Sequence, residues 1–278
     1  MAQINAKAAK DLRWLVKAAE LMLQPVARLL VGKVSCTVVV RLLKQAYIQE
    51  ARRMLRSKDP DRRITMSALG LLTGLDTRVV AALDGQSDPG PISASELCPE
   101  AAVLSAWHSD KTYHDKKTGK PLVLPVYGRG TSFQTLVTRN AGRNVTCSTV
   151  LERLTESGHL AVDNDNHVRL ISPHYVPVSP AEQAILEKGS FSINHLGKTI
   201  AHNLDAGESE PNWLHQDSFS RSIPSDQVER LGRRVQEILA RSVEQVESEW
   251  DSVETPVKQR TGHQSIGAGW FYWEDSNK

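Results

Sequence analysis

Residues 62–83 read RRITMSALGLLTGLDTRVVAAL, with two short apolar-periodic pieces on either side of Thr73-Gly74-Leu75-Asp76. Thr65 or Ser67 can cap a helix over Ala68–Thr73, because a side-chain oxygen there accepts from the unpaired amides of the first turn. Gly74 can adopt positive φ and end that helix. Leu75 then plugs the turn, Asp76 or Thr77 caps a second helix, and Val79, Val80 and Leu83 face inward. Leu69, Gly74, Leu75, Val80 and Leu83 stand where a helix-turn-helix needs its angled core. A short turn holds two helices at a steep angle. The start of the second helix then projects and offers Asp76, Thr77 and Arg78 to a groove. The same spacing also suits a plain two-helix corner in a bundle.

A similar layout returns at residues 132–160, SFQTLVTRNAGRNVTCSTVLERLTESGHL. Ser132 caps a helix with Phe133, Leu136 and Val137 on its apolar side, running to about Ala141. Gly142 and Asn144 make the turn. Thr146 or Ser148 opens a stronger helix with Val150, Leu151 and Leu154 inward, and Gly158 closes it. HLAVDNDNHVRLI then alternates on both sides of an Asp-Asn turn, the pattern of a β-hairpin. Helix, turn, helix, two-stranded hairpin is the order of a winged helix. Cys147, Ser148, Thr149 and Arg153 could face a groove, and Arg143, Asn164 and Asn166 could reach phosphates or a minor groove. Between residues 129 and 171, however, 5 arginines meet 4 Asp and Glu. So neutral a unit can equally be a packing or protein-binding module.

Charge is unevenly spread along the 278 residues. Residues 1–83 carry 15 Lys and Arg against 6 Asp and Glu, whereas residues 84–278 carry 19 against 26. A basic first third suggests a polyanion partner, and an acidic remainder suggests a solvated or protein-binding part. No apolar run reaches the roughly 20 residues of a membrane span. The amphipathic KAAKDLRWLVK near the start lacks the apolar core and cleavage site of a signal peptide. Cys36, Cys98 and Cys147 are odd in number and far apart, which suits a reducing cytoplasm and no disulfide framework.

Residues 6–30 carry a helical apolar face that Pro25 can kink or divide. A second helix follows over about Ser35–Arg56, with Val38, Leu42, Tyr47, Ala51 and Leu55 apolar and a basic end at Arg52, Arg53, Arg56 and Lys58. Residues 86–131 read as a linker region, which the turn-rich DGQSDPGPIS (84–93) leads into and which holds one helix near 94–107 and an extended piece at Leu122–Tyr127. The tail from 179 predicts helices at 180–188 and 193–204, then a long helix over Ser225–Val253. That helix spaces Val228, Leu231, Val235, Ile238, Leu239, Val246, Trp250 and Val253 close to a heptad stripe. The stripe suits either a homodimer seam or packing within its own domain. GAGWFYWE, residues 267–274, predicts a short strand.

No phosphate-binding loop, dinucleotide fingerprint or nucleophile elbow is present. His195 and His202 share a helical face, with His215 beyond, but no paired carboxylate or cysteine stands near them to complete a metal site. Trp107, His108, Asp110, Tyr113, His114 and Asp115 form the densest polar-aromatic cluster. It is either a small catalytic site or an ordered segment whose rings pack down while its polar ends cap turns.

LSAWHSDKTYHDKKTGKPLVLP (104–125), SFQTLV, VLERLTESGHL, HVRLISPHYVP and TIAHNL together resemble an uncharacterised family of bacterial proteins, a domain of unknown function with helix-turn-helix and winged-helix character. The resemblance implies a bacterial origin for a full-length single chain. It brings no activity, catalytic residue or ligand.

The expectation is a mainly α protein with a small β-hairpin wing. It has a helical region with the first helix-turn-helix (1–85), a linker region (86–131), a winged-helix unit (132–178) and a helical, dimerising tail (179–278). Such a chain would be a cytoplasmic, nucleoid-associated transcription regulator that binds double-stranded DNA as a homodimer, with no cofactor, no metal and no catalysis. Arg52, Arg53, Arg56, Arg62 and Arg63 would meet phosphates, and Thr77 and Arg78 would meet bases. Arg143, Ser148, Thr149 and Arg153 would serve the second unit. The alternatives are a protein-interaction module and, further off, an enzyme centred on Trp107–Asp115.

Overall fold

The computed structural model describes residues 2–61, 63–84, 94–141, 145–175, 178–207, 210–253 and 265–275. The chain divides into two compact units, Met1–Ser179 and Pro180–Lys278. It is mainly helical, with one small antiparallel sheet. No single described helix is long and apolar enough to cross a membrane.

The first unit opens with α1 (Ala2–Leu30), one continuous helix with Pro25 inside it. Proline removes a single intrahelical hydrogen bond, and here that loss does not divide the helix. α2 (Cys36–Lys58) starts at Ser35, whose side chain accepts from the Val38 amide. It buries Val38, Gln45, Ile48 and Ala51, whereas the expected core residues Leu42 and Tyr47 are exposed. α3 (Met66–Thr73) and α4 (Thr77–Leu83) follow, capped by Thr65 and Asp76. They meet at 106° across the turn, inside the 90–120° range of helix-turn-helix pairs. Leu69 and Val80 are fully buried against Ile48 and Ala51, with Leu55, Ile64, Leu75 and Leu83 packed around them.

The larger core lies further along. Pro99 disfavours helix at the residue before it and suits a helix start. The single helix expected near 94–107 is accordingly split at Cys98 into α5 (Ala94–Leu97) and α6 (Pro99–Ser109). After a 3₁₀ turn at Lys111–Tyr113 come β1 (Leu124–Pro125), α7 (Phe133–Asn140), α8 (Cys147–Glu156), β2 (Leu160–Val162) and β3 (His167–Leu170). The sheet order is β1-β3-β2, with Leu160 opposite Leu170 and Leu124 opposite Val168. Ser132 and Thr146 cap α7 and α8, as the sequence allows. The hairpin turns at Asp163–Asn166, with Asn166 at φ 58°.

Val103, Leu104, Trp107, Tyr113, Leu124 and Val126 are buried with Phe133, Leu136, Val137, Val150, Leu154, Leu160 and Val168 in one cluster. Six of those thirteen residues come from 99–126, so the linker reading of 86–131 is corrected. α6 and β1 are the layer on which α7 and α8 pack. The turn-rich composition that suggested a linker belongs to residues 85–93, which lie outside the described residues.

In the second unit, α9 (Pro180–Asp205) is one helix where two were expected. Gly189 sits inside it without a proline or a cap to stop it, and an interior glycine costs only about 1 kcal/mol. α10 (Ser225–Asp251) follows the expected stripe. Val235, Leu239, Val246 and Trp250 are half-buried, while Leu231 and Ile238 stay exposed. The predicted strand at 267–274 is absent. Tyr272 instead lies over a notch at Gly232, where a Cβ would meet its Oη at 2.6 Å. Aromatic side chains packing on a helix explain this segment's composition as well as sheet pairing would.

Trp107→Ala separates a linker from a core. The substitution should cost about 3–5 kcal/mol in urea unfolding, as for other large-to-small core changes. A cost near zero would return residues 99–126 to linker status.

Candidate nucleic-acid interface

Two helix pairs of the first unit, α3–α4 and α7–α8, stand where the sequence predicts helix-turn-helix units, and their surroundings differ. At α3–α4 the turn comes close to the first helix: a Cβ on Gly70 would lie 3.1 Å from the Leu75 carbonyl oxygen. Gly74 caps α3 in the left-handed region at φ 69°, a conformation that costs glycine little. The Thr73 hydroxyl donates back to the Leu69 carbonyl at 2.8 Å. Asp76 accepts from the Arg78 amide at 2.8 Å, which opens α4. Thr77 and Arg78 are both exposed at its start.

The arginines named from the sequence part ways here. Arg52 donates to Asp84 at the end of α4, a pair in which neither side chain is more than a third exposed. It ties α2 to the second helix and is not free to meet a phosphate, so its role is corrected to positioning. Arg53 pairs with Glu50 one turn earlier on α2 at 2.6 Å. Arg56, Arg63 and Arg78 are exposed and pair with no described acidic side chain. Arg62 lies outside the described residues.

At α7–α8, Thr146 accepts from the Thr149 amide, and its hydroxyl lies 3.1 Å from that of Ser148 and 2.7 Å from that of Thr149. Ser148 and Thr149 are exposed. Arg153 does not face outward freely: its Nε sits 2.9 Å from Glu100 Oε1, and the Glu100 side chain is only 8% exposed. Arg153, itself about half exposed, is therefore a counter-ion to a buried carboxylate, a role the sequence did not suggest. Arg143, Gly142 and Asn144 lie outside the described residues. The hairpin tip exposes Asp163 and Asp165 beside Asn164 and Asn166, so a phosphate would meet like charge there.

The polar-aromatic cluster holds the scaffold. Trp107 Nε1 donates to the Leu122 carbonyl at 3.2 Å, and the His114 ring lies 3.1 Å from the Trp107 carbonyl. Asp110 accepts from the Thr112 amide, and Asp115 from the Lys117 and Thr118 amides. Those hydrogen bonds hold both carboxyls below their ordinary value. Among the described residues no group of His, Cys, Asp and Glu could hold a metal ion. His202 stacks on Trp213 with ring centroids 4.1 Å apart, and Asn203 exchanges hydrogen bonds with the Trp213 backbone at 2.8 and 3.0 Å.

Sequence reasoning missed Asp84, Gly70 and Glu100. Asp84 and Glu100 act through partners 32 and 53 positions away, a distance no local pattern spans. Gly70 carries a readable signal, since an interior helical glycine usually has a packing reason. Glu100 also borders an apolar groove of about 440 Å³ between the α1–α2 corner and the starts of α6 and α8. Beside it, burial pushes the Cys98 thiol up from its usual value, and the Glu100 carboxylate adds to the shift.

Replacing Arg153 with Ala should strand Glu100 and cost about 1–3 kcal/mol, the penalty for an unsatisfied buried group. Glu100→Gln in the same background should recover part of it. A neutral Arg153→Ala in denaturant unfolding would show that Arg153 is not bound to the scaffold.

No curated protein matches the chain. A family model does, over residues 12–278, and the chain belongs to that family, a family of unknown function (DUF6502).

Proposed function

We propose that the chain binds double-stranded DNA through α3–α4 and acts as a nucleoid-associated transcription regulator. One observation carries this reading. The helix-turn-helix corner at 106° projects a short second helix whose exposed start bears Thr77 and Arg78. Arg56 and Arg63, on the same small core's flanks, are left without an acidic partner among the described residues. Exposed arginines that a protein does not neutralise itself are suited to phosphates, whose counterions they release. Beyond Arg78, α4 exposes only Ala81 and Ala82, small side chains that let a helix lie close to base edges.

In this reading Arg78 makes a bidentate contact to guanine, and Thr77 touches a base edge or a thymine methyl. Arg56 and Arg63 fix the register on the backbone. Arg52 and Asp84 hold α4 at its angle. In this reading the α7–α8 unit packs or binds protein, because Arg153 on its second helix is paired with Glu100 and its hairpin tip is acidic.

Arg78→Ala tests the assignment. On a site selected from random duplexes the variant should lose about 1–3 kcal/mol and relax preference at one base pair. Equal losses on the selected site and on random DNA would make Arg78 a phosphate clamp. Absence of any selected site with the wild-type chain would end the reading.

A further inference from the structure

Two apolar stripes of the first unit have no cover within that unit among its described residues. On α1, Leu12, Val16, Ala19, Leu23, Val26 and Leu30 recur at steps of four and three, and Leu15, Met22 and Leu29 widen the stripe. Leu12, Val16 and Met22 are about three-fifths exposed. Arg13, Lys17, Glu20, Gln24 and Arg28 share one narrow polar strip on the other side. In the last turn of α1, Ala27 and Leu30 border the groove of its own unit. On α2, Val40, Leu43, Tyr47 and Met54 repeat the same spacing and are exposed, on a face turned away from the buried Val38, Ile48 and Ala51.

We infer that a second copy of this chain covers these stripes in a two-fold dimer, with the seam built from α1 and the outer face of α2. Three features point to that occupant. First, the two stripes do not cover each other: α1 runs straight into α2, and Val40, Leu43 and Tyr47 stay exposed with α1 in place. Second, apolar residues at two heptad positions plus a flanking one suit a helix packed between two neighbours, whereas a two-stranded coil needs only the narrower seam. A two-fold copy supplies both neighbours, because the same surface meets itself. Third, the area is sufficient. On the α1 stripe Leu12, Leu15, Val16, Met22 and Leu23 are each at least half exposed, and Val40, Leu43, Tyr47 and Met54 add the α2 face. At on the order of 100 Å² apiece these side chains together reach the roughly 800 Å² per partner of a standard interface. An anionic membrane surface would satisfy α1 alone and leave the α2 stripe, on the helix that supports α3–α4, in water.

The dimer does not depend on the DNA reading, since it is measured without DNA. Light scattering and sedimentation equilibrium on the full chain at micromolar concentrations should give a dimer. Leu15→Asp with Leu23→Asp on α1, and separately Leu43→Asp on α2, should each raise its Kd by about a hundredfold or more. These side chains are exposed in the single chain, so circular dichroism and melting of the resulting monomers should show intact helices. Leu231→Asp with Ile238→Asp on α10 should leave the dimer in place. A wild-type monomer would overturn the inference, because residues of the same chain would then cover the stripes. So would a dimer that only the α10 pair splits. So would α1 variants that keep the oligomeric state but lose binding to phosphatidylserine vesicles.

Discussion

The turn between α3 and α4 passes so close to residue 70 that a side chain there would make it give by a few tenths of an ångström. The Leu75 carbonyl stands 3.1 Å from where a Cβ would be. Leu75 plugs the corner, Val80 packs on Leu69 and on Ile48 and Ala51 of α2, and the steep crossing leaves the start of α4 exposed. Gly74 adds the left-handed residue that stops α3 after two turns. A side chain at 70 would press on the Leu75 carbonyl and crowd the Thr77 methyl, so the turn would have to shift. Because this small core buries so few side chains, it needs a second fastening, and the ion pair from Arg52 to Asp84 clamps the far end of α4.

Charge and exposure distinguish the two helix pairs. At α7–α8 Arg153 answers Glu100, buried in the first turn of α6, and the hairpin tip carries Asp163 and Asp165, while Arg129, Arg139 and Arg169 stay exposed. At α3–α4 Arg52 and Arg53 are paired, and Arg56, Arg63 and Arg78 are open. What favours α3–α4 in the proposed reading is that Thr77 and Arg78 stand together at the exposed start of its second helix. That placement also sets the division of labour proposed here, in which the larger core with Trp107 at its centre is the rigid body and the smaller corner is the reader.

Much of this was legible in the sequence where the physics is local. Thr65, Asp76, Ser132 and Thr146 cap the helices because a side-chain oxygen followed by an apolar-periodic run has few other uses. Gly74 and Gly158 take positive φ as helix-ending glycines do. The hairpin followed from strict alternation around an Asp-Asn turn. What failed depends on distant residues. Trp107 and Tyr113 looked like a polar-aromatic linker because their neighbours are Lys, Asp and His, which cap turns at the surface while the rings point inward. Arg52 and Arg153 looked free because their partners, Asp84 and Glu100, are far along the chain. The exposed face of α2 was hidden by its buried one, since Val40 and Val38 read alike in sequence and differ only in what lies opposite.

Salt dependence of duplex binding by the wild-type chain tests the central claim most directly. If Arg56, Arg63 and Arg78 meet phosphates or bases as uncommitted cations, log K on random duplex should fall linearly with log salt. Each phosphate neutralised contributes about 0.9 to that slope, so two or three contacts per chain give roughly −2 to −3. A slope near zero, or no binding at low salt, would contradict the account and leave α3–α4 as a packing corner.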